Sequence, residues 1–385
     1  MTAEYPDVVV TGLGVFTAFG WGDGALVDGV FAGRHGFREV SRFDTGPFRS
    51  RWAAEAPHAP SLRDGLLECG RTALRAARVA PRAPAAVLLG TQGDWADSSR
   101  LWTAPAGGDD AVVRTAPIAV VHELAAALGV GPGRRLGFVN GCIASTNAVV
   151  HGTQLLQTGR EDLVLAGGAY LVDAEFFAKF DSGRAFATDG RLRAFSRDRS
   201  GLLLGDGIAV LVLERAADAR ARGVRPLARV CGWGMSSDGY HVCQPEPHGA
   251  GLAAAMSAAL ARAGLAPHDI DYVNAHGTGT RINDAAESSA ICSVFGAAGR
   301  RVPVSSTKSA TGHTLEASGA VETIVSILAL REQTLPPTVG FSEPDPSCDV
   351  DCVPNEPRRA PVEHVMTVNA AFGGANAALV LGRAS

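Results

Sequence analysis

Ten short apolar runs, most of them closed by glycine, fall into two sets of five along the 385 residues. Within each set helical segments separate the first four runs, and the last two follow one another without a clear helix. Strand-length runs alternating with helices predict an α/β protein. A βαβαβαββ unit occurring twice predicts two sheets with helices between and around them. The second set starts near Arg225, dividing the chain into halves 1–224 and 225–385.

In the first half, Asp7–Gly14 reads as a buried strand entering a Gly-rich turn, and Gly24–Ala32 as a helix. The Gly-x-Gly of that turn is only a fragment of a dinucleotide fingerprint, with no acidic residue at the required distance. Residues 34–60 are polar and loop-like, and Leu62–Ala80 has helical periodicity. Ala85–Gly90 is a fully apolar strand, and Thr91–Asp110 carries breaker signals that suggest a long functional loop. A helix over Pro117–Leu128 leads to Leu136–Val139, read as a buried strand, and then to a helix opening at Cys142. Asp162–Gly168 and the run ending at Glu214 supply the last two strands. Between them Arg193, Arg197, Asp198 and Arg199 form a cluster suited equally to a phosphate or to an ion-pair network.

In the second half, strands are expected at Leu227–Met235, Asp271–Ala275, Val302–Ser305, His364–Ala370 and Asn376–Leu381. Helices are expected at Gly249–Ala263, Asp284–Phe295 and Leu315–Arg331.

A formal net charge of −4 lacks the basic excess of a nucleic-acid binder, and no apolar run approaches the length of a membrane span. The expectation is therefore a cytoplasmic protein with neither nucleic-acid nor membrane partners. Seven scattered cysteines in a large chain argue against a disulfide framework. Cys348 and Cys352 have no second pair or nearby histidine to complete a zinc site and read as structural. Only two of the 35 basic residues, Lys179 and Lys308, are lysines, which suggests that Lys308 is needed as an ammonium.

The chemistry collects at strand ends, where α/β proteins keep their sites. Cys142 stands at a strand-to-helix turn, where free N–H groups and the helix dipole favour a thiolate nucleophile. A lone cysteine is far more often inert packing, so position alone does not decide its role. The segment YVNAHGTGT places His276, Thr278 and Thr280 after a buried strand. The segment VSSTKSATGHTLEASG holds Lys308 and His313 five residues apart in a turn that could equally be a cap. A third turn, VNAAFGGAN, has glycines that permit unusual dihedrals. A nucleophilic cysteine, two histidines and a lysine suggest acyl transfer through a thioester, with no metal or cofactor fingerprint competing.

With these motifs in this order, the chain resembles the β-ketoacyl-acyl-carrier-protein synthases of the thiolase-fold condensing enzymes. It is nearest to the fatty-acid elongating synthases and their type II polyketide relatives. The resemblance runs from VVVTGLG through the Cys142 turn and YVNAHGTGTRINDAAE to VSSTKSATGH and AFGGAN, nearly the whole chain. It implies a layered α-β-α-β-α thiolase-like fold and a decarboxylative condensation giving a two-carbon-longer β-ketoacyl product. Cys142 would accept the acyl chain, and His276 and His313 would hold the malonyl carbonyl oxygen. Lys308 would pair with Glu322, with Glu287 a second acidic match nearby. Thr278 and Thr280 would meet the phosphopantetheine arm. The N–H groups of Cys142 and Phe372 would form the oxyanion hole, and Phe372 would gate access to the nucleophile.

The resemblance also implies no cofactor of the chain's own. Its partners would be a phosphopantetheine-bearing acyl carrier protein and either a second copy of the chain or a chain-length-factor homologue. Departures are Gly141 before the cysteine, Ile143 after it, a shortened 91–114 region, and Ala370-Ala371 where the family has Phe-Gly. They point to specialised polyketide or polyene assembly rather than housekeeping fatty-acid elongation. Two alternatives are a non-catalytic chain-length-factor-like subunit, which typically lacks the cysteine, and an acyltransferase or hydrolase that forms no carbon–carbon bond.

Overall fold

The computed structural model describes residues 5–103, 113–296 and 302–384. The first half runs β1 (Val8–Thr17), α1 (Leu62–Ala76), β2 (Ala86–Gly90), α2 (Trp95–Thr103), α3 (Pro117–Leu128), β3 (Arg135–Phe138), α4 (Ala144–Gln157), β4 (Leu163–Tyr170), α5 (Ala174–Ser182) and β5 (Gly207–Arg215). The second runs β6 (Ala228–Ser237), α6 (Ala250–Ala263), β7 (Tyr272–Asn274), α7 (Arg281–Phe295), β8 (Pro303–Ser305), α8 (Ser318–Glu332), β9 (Asp351–Cys352), β10 (His364–Ala371) and β11 (Ala375–Gly382).

Strand order is β1-β5-β4-β2-β3 in one half and β6-β11-β10-β7-β8 in the other, with β9 added beyond β8. The fifth strand of each unit pairs antiparallel with the first and fourth, while the second, third and fourth are mutually parallel where they pair. The two units are therefore one topology used twice.

They are not two separate sheets as the sequence suggested. An antiparallel pairing of Val8, Val9 and Val10 with Val230, Arg229 and Ala228 joins them through β1 and β6 into one mixed sheet. The first strand of each unit lies at an open edge, and the two edges satisfy each other's N–H and C=O groups.

Two helices lie between the two halves of this sheet. α4 packs on β4 and β2 and reaches β11, while α8 packs on β10 and reaches β5; the two helices also touch each other. Residues Ser318 to Leu330 of α8 are all buried, as expected for a helix enclosed on every side. Gly319 permits the approach: a Cβ there would stand 2.0 Å from Thr146 Oγ1 and 2.5 Å from the Thr146 nitrogen. α1 and α3 cover the outer face of the first unit, and α6 that of the second, with α7 packed against α6.

Several sequence expectations need correction. The helix expected at Gly24–Ala32 is present over residues 22–31, but its second half, Val27–Phe31, widens to π geometry. The long loop proposed for Thr91–Asp110 contains α2, opened by Asp94, whose carboxylate accepts from the Ala96 N–H at 3.1 Å. Arg63 ties this start to Asp94 and Asp97 at 2.7 and 2.9 Å. The remainder, from residue 104, lies outside the described residues. The β3 strand is only half-buried, and Val139 after it is 57% exposed, because β3 pairs with β2 alone and ends the sheet. The helix expected from Leu315 begins with a 3₁₀ turn over Leu315–Ala317.

The arginine cluster is an ion-pair network. Arg193 pairs with Asp189 and Asp198, Arg197 with Glu343, and the buried Arg199 with Asp345 at 2.5 Å and Asp284 at 3.9 Å. All seven cysteines are free. Among the described residues no helix is long and apolar enough to cross a membrane.

Candidate active site

Cys142, His276, Lys308, His313 and Phe372 all follow the carboxyl ends of strands, namely β3, β7, β8 and β10. Because β7, β8 and β10 run parallel, their ends share one edge of the sheet. The contact between α4 and α8 brings the Cys142 turn to that edge.

Cys142 occupies a 3₁₀ turn, Gly141–Ile143, that opens into α4. Gly141 takes φ +66°, the left-handed conformation that glycine adopts without a Cβ penalty, and this sharp turn presents the thiol. The tip of the β10–β11 turn lies against it, since a Cβ on Gly141 would meet only that of Ala371, at 3.5 Å. Ile143, behind the thiol, is buried.

The helix terminus does not lower the thiol pKa as expected. Burial pushes Cys142 up to about 12, the Glu316 carboxylate adds to the effect, and Lys308 opposes it. Desolvation disfavours the thiolate. The resting thiol keeps its proton and has an acceptor at hand: His313 Nε2 stands 3.0 Å from Sγ.

His313 is oriented from its other side, where Nδ1 lies 3.0 Å from Ser318 Oγ. His276 stands edge-on to it, with ring centroids 5.3 Å apart, and its buried Nδ1 has no hydrogen-bond partner. Burial, reinforced by the Lys308 charge, holds both imidazoles well below the usual histidine pKa, so both are neutral at pH 7. Cys142 Sγ and one ring nitrogen from each histidine lie within 4.8 Å of one another, the one grouping among the described residues with metal-ligand geometry.

Lys308 pairs with Glu322 on α8, as the resemblance implied, and both side chains are almost fully buried. The other Glu322 oxygen accepts from Asn369 Nδ2 at 2.6 Å, and Asn369 Oδ1 accepts from Thr146 Oγ1 at 2.6 Å. This chain of bonds ties the lysine loop to the helix carrying the nucleophile. Glu287 acts elsewhere, its two oxygens accepting from the His276 and Gly277 N–H groups at 2.6 and 2.7 Å. It fixes the histidine loop, and burial pushes its carboxyl up to about 7.

The Thr278 and Thr280 hydroxyls are 2.9 Å apart on the same loop. Phe372 is 61% exposed at the turn tip and stacks on Phe180 at 5.8 Å between centroids. Sequence reading missed Ser318, Asn369 and Glu316. Asn369 lies in the VNAAFGGAN segment, where attention to glycines hid a buried amide. Ser318 and Glu316 had no local signal, because their partners are distant in the chain.

A duplicated five-stranded unit with a thiol at its pseudo-symmetric centre is a thiolase-like fold. The ishigamide ketosynthase/chain length factor structure matches this chain with a TM-score of 0.93 at 32% identity, covering 99% of this chain and all of that one. Residues 59–219 match the profile of the β-ketoacyl synthase N-terminal domain, and residues 227–342 that of its C-terminal domain. The chain is 32% identical over 406 residues to 3-oxoacyl-acyl-carrier-protein synthase 2 of Coxiella burnetii, with 98% of each covered. It is 34% identical over 414 residues to the tetracenomycin polyketide synthase ketoacyl synthase alpha subunit of Streptomyces glaucescens, covering 98% of this chain and 97% of that one. The chain belongs to the β-ketoacyl synthase family.

Proposed function

We propose that the chain catalyses decarboxylative condensation of an acyl group held on Cys142 with malonyl-acyl-carrier-protein. The observation that carries this reading is the thiol-to-imidazole contact of 3.0 Å beside a second, unpartnered imidazole. In the first step the Cys142 proton passes to the leaving phosphopantetheine thiol by way of His313 Nε2. The acyl C–S bond to the carrier breaks as the bond to Cys142 Sγ forms. The oxyanion of that step is held by the N–H groups of Cys142 and Phe372.

In the second step the malonyl thioester carbonyl sits against the N–H donors of His276 and His313, the latter now the Nε2–H tautomer whose Nδ1 accepts from the Ser318 hydroxyl. Its carboxylate leaves as carbon dioxide, and the electron pair becomes an enolate. The enolate carbon attacks the Cys142 thioester and expels the thiolate, which is reprotonated. Two neutral imidazoles suit this chemistry, since each offers an N–H donor in a site shielded from water. Lys308 and Glu322 set the local charge, Glu287 positions His276, and Thr278 and Thr280 meet the phosphopantetheine arm. Phe372 covers the access route.

The phosphopantetheine belongs to the carrier protein; the chain needs no cofactor of its own. The half-exposed β3 edge and exposed Val139 support assembly as a dimer, with a second copy or with a chain-length-factor homologue. Likeness to the tetracenomycin subunit supports a place in polyketide or polyene assembly in the cytoplasm.

Intact-mass analysis tests the reading. Wild type, incubated with acyl-loaded carrier protein, should gain the acyl mass, the Cys142→Ala variant should not, and malonyl carrier protein should discharge it as a β-ketoacyl product. Absence of any acyl mass across chain lengths, with a competent partner present, would transfer the chain to the non-catalytic subunit class.

A further inference from the structure

A cleft of about 770 Å³ opens between the segment before and at the start of α1, the start of α2 and the residues that follow β4. Glu316 joins it to the reacting centre: it lines the cleft, and its turn, Leu315–Ala317, packs against the Gly141–Ile143 turn that carries Cys142. Yet the lining is not that of an alkyl tunnel. Tyr170, Asp173, Gln92 and Glu316 all contribute to it. Tyr170 is 2% exposed and its Oη makes no well-formed hydrogen bond, with only the Asp173 backbone near enough to act on it; Asp173 Oδ2 has no partner. Glu316, also 2% exposed, holds one contact, accepting from Gln92 Nε2 at 2.7 Å. Four arginines line the same cleft: Arg42, Arg63 and Arg100 are committed to ion pairs with Asp206, with Asp94, Asp97 and Glu123, and with Asp97, and Arg114 is exposed to solvent.

Building on the condensing reading, we propose that this cleft selects acyl chains carrying a hydroxyl group along their length over unbroken alkyl chains. An alkyl chain would seal the phenol and carboxyls against methylenes and leave their hydrogen bonds unmade, an unfavourable burial of polar groups. A keto group could accept from Tyr170 but offers nothing to Asp173 or Glu316. An ammonium could donate to the carboxyls but leaves the tyrosine proton unused. A hydroxyl does both, and so matches a wall made of one donor and two acceptors. Trp95, Leu62 and Val172, which also line the cleft, accommodate the methylenes on either side.

The test is acylation of Cys142 from carrier protein loaded with octanoyl, 5-hydroxyoctanoyl or 7-hydroxyoctanoyl groups, followed by intact mass with time. Wild type should take at least one hydroxylated chain tenfold or more faster than octanoyl. Tyr170→Phe, which keeps the ring, should cut that ratio to threefold or less, and Glu316→Leu should turn the preference toward octanoyl. Octanoyl transfer equal to or faster than both hydroxylated chains overturns the proposal, as does a ratio that neither variant moves. In either case Cys142 is still acylated and the condensing reading stands. Failure of every chain to load overturns both.

Discussion

His313 Nε2 lies 3.0 Å from Cys142 Sγ across 171 residues of sequence, and this contact joins the two halves of the chain at one reacting centre. The imidazole is held by Ser318 on its far side, so it cannot turn away from the thiol without losing that bond. His276 touches neither residue through a hydrogen bond, and the division of labour follows from this difference.

Removing His276 should separate the two half-reactions. His276→Ala is expected to load acyl groups onto Cys142 within about fivefold of wild type, while carbon dioxide release from malonyl carrier protein falls about 10²–10³-fold. Rapid-quench measurement of both steps checks this. Equal loss of both steps would remove His276 from the decarboxylation role.

The pH profile of decarboxylation should lack the usual histidine inflection. Both imidazoles are held well below the ordinary value by burial and by Lys308, so the neutral form persists as pH falls through 6.5. Carbon dioxide release should stay flat from pH 8 to 6.5 and decline only below that. A fall of about threefold between pH 7 and 6 would show that one imidazole titrates normally.

The Lys308–Glu322 pair is buried on both sides, and removing one partner leaves an uncompensated charge. Lys308→Ala should cost about 3–5 kcal/mol in stability and also abolish condensation. Lys308→Met combined with Glu322→Leu should recover most of the stability while the enzyme stays inactive. Denaturant midpoints compared across the three proteins decide it; an unchanged midpoint for Lys308→Ala would mean that water reaches the pair.

Asp173 gives a prediction of opposite sign. Burial raises its carboxyl from the ordinary 3.8 to about 6, so its folded form prefers the proton. The resulting penalty is absent below pH 3.8, grows as pH rises, and is complete above about 6. Asp173→Asn keeps the Oδ1 cap on the Glu175 and Phe176 N–H groups, both at 2.9 Å, and removes the charge. Allowing for partial exposure, it should gain about 1 kcal/mol at pH 8, roughly 1–3 °C in Tm, and nothing at pH 4. A gain independent of pH would locate the effect elsewhere. On the cleft proposal the same variant should lose discrimination for hydroxylated chains, a stability gained at the expense of selectivity.

Local patterning made much of this legible from the residues alone. The ten strands, the principal helices and the polar islands at strand ends are visible because each depends on neighbours in sequence: apolar runs bury, glycines turn, and periodicity marks a face. The motif residues Cys142, His276, Lys308 and His313 stand out for that reason, the structure brings Cys142 and the two histidines together, and Lys308 pairs with Glu322 as the resemblance implied.

What needed the folded chain depends on partners far apart in sequence. The fusion of two sheets through Val8–Val10 and Ala228–Val230 is a matter of which edges meet, and strand patterning says nothing about that. The thiol's raised pKa was not legible in the sequence, because desolvation depends on everything packed around Cys142, including Glu316. The same holds for the buried Tyr170 hydroxyl and for the Asn369 bridge between Glu322 and Thr146. Local propensity places a residue on an element. Long-range packing sets its solvent, its charge and its partner, and those set its chemistry.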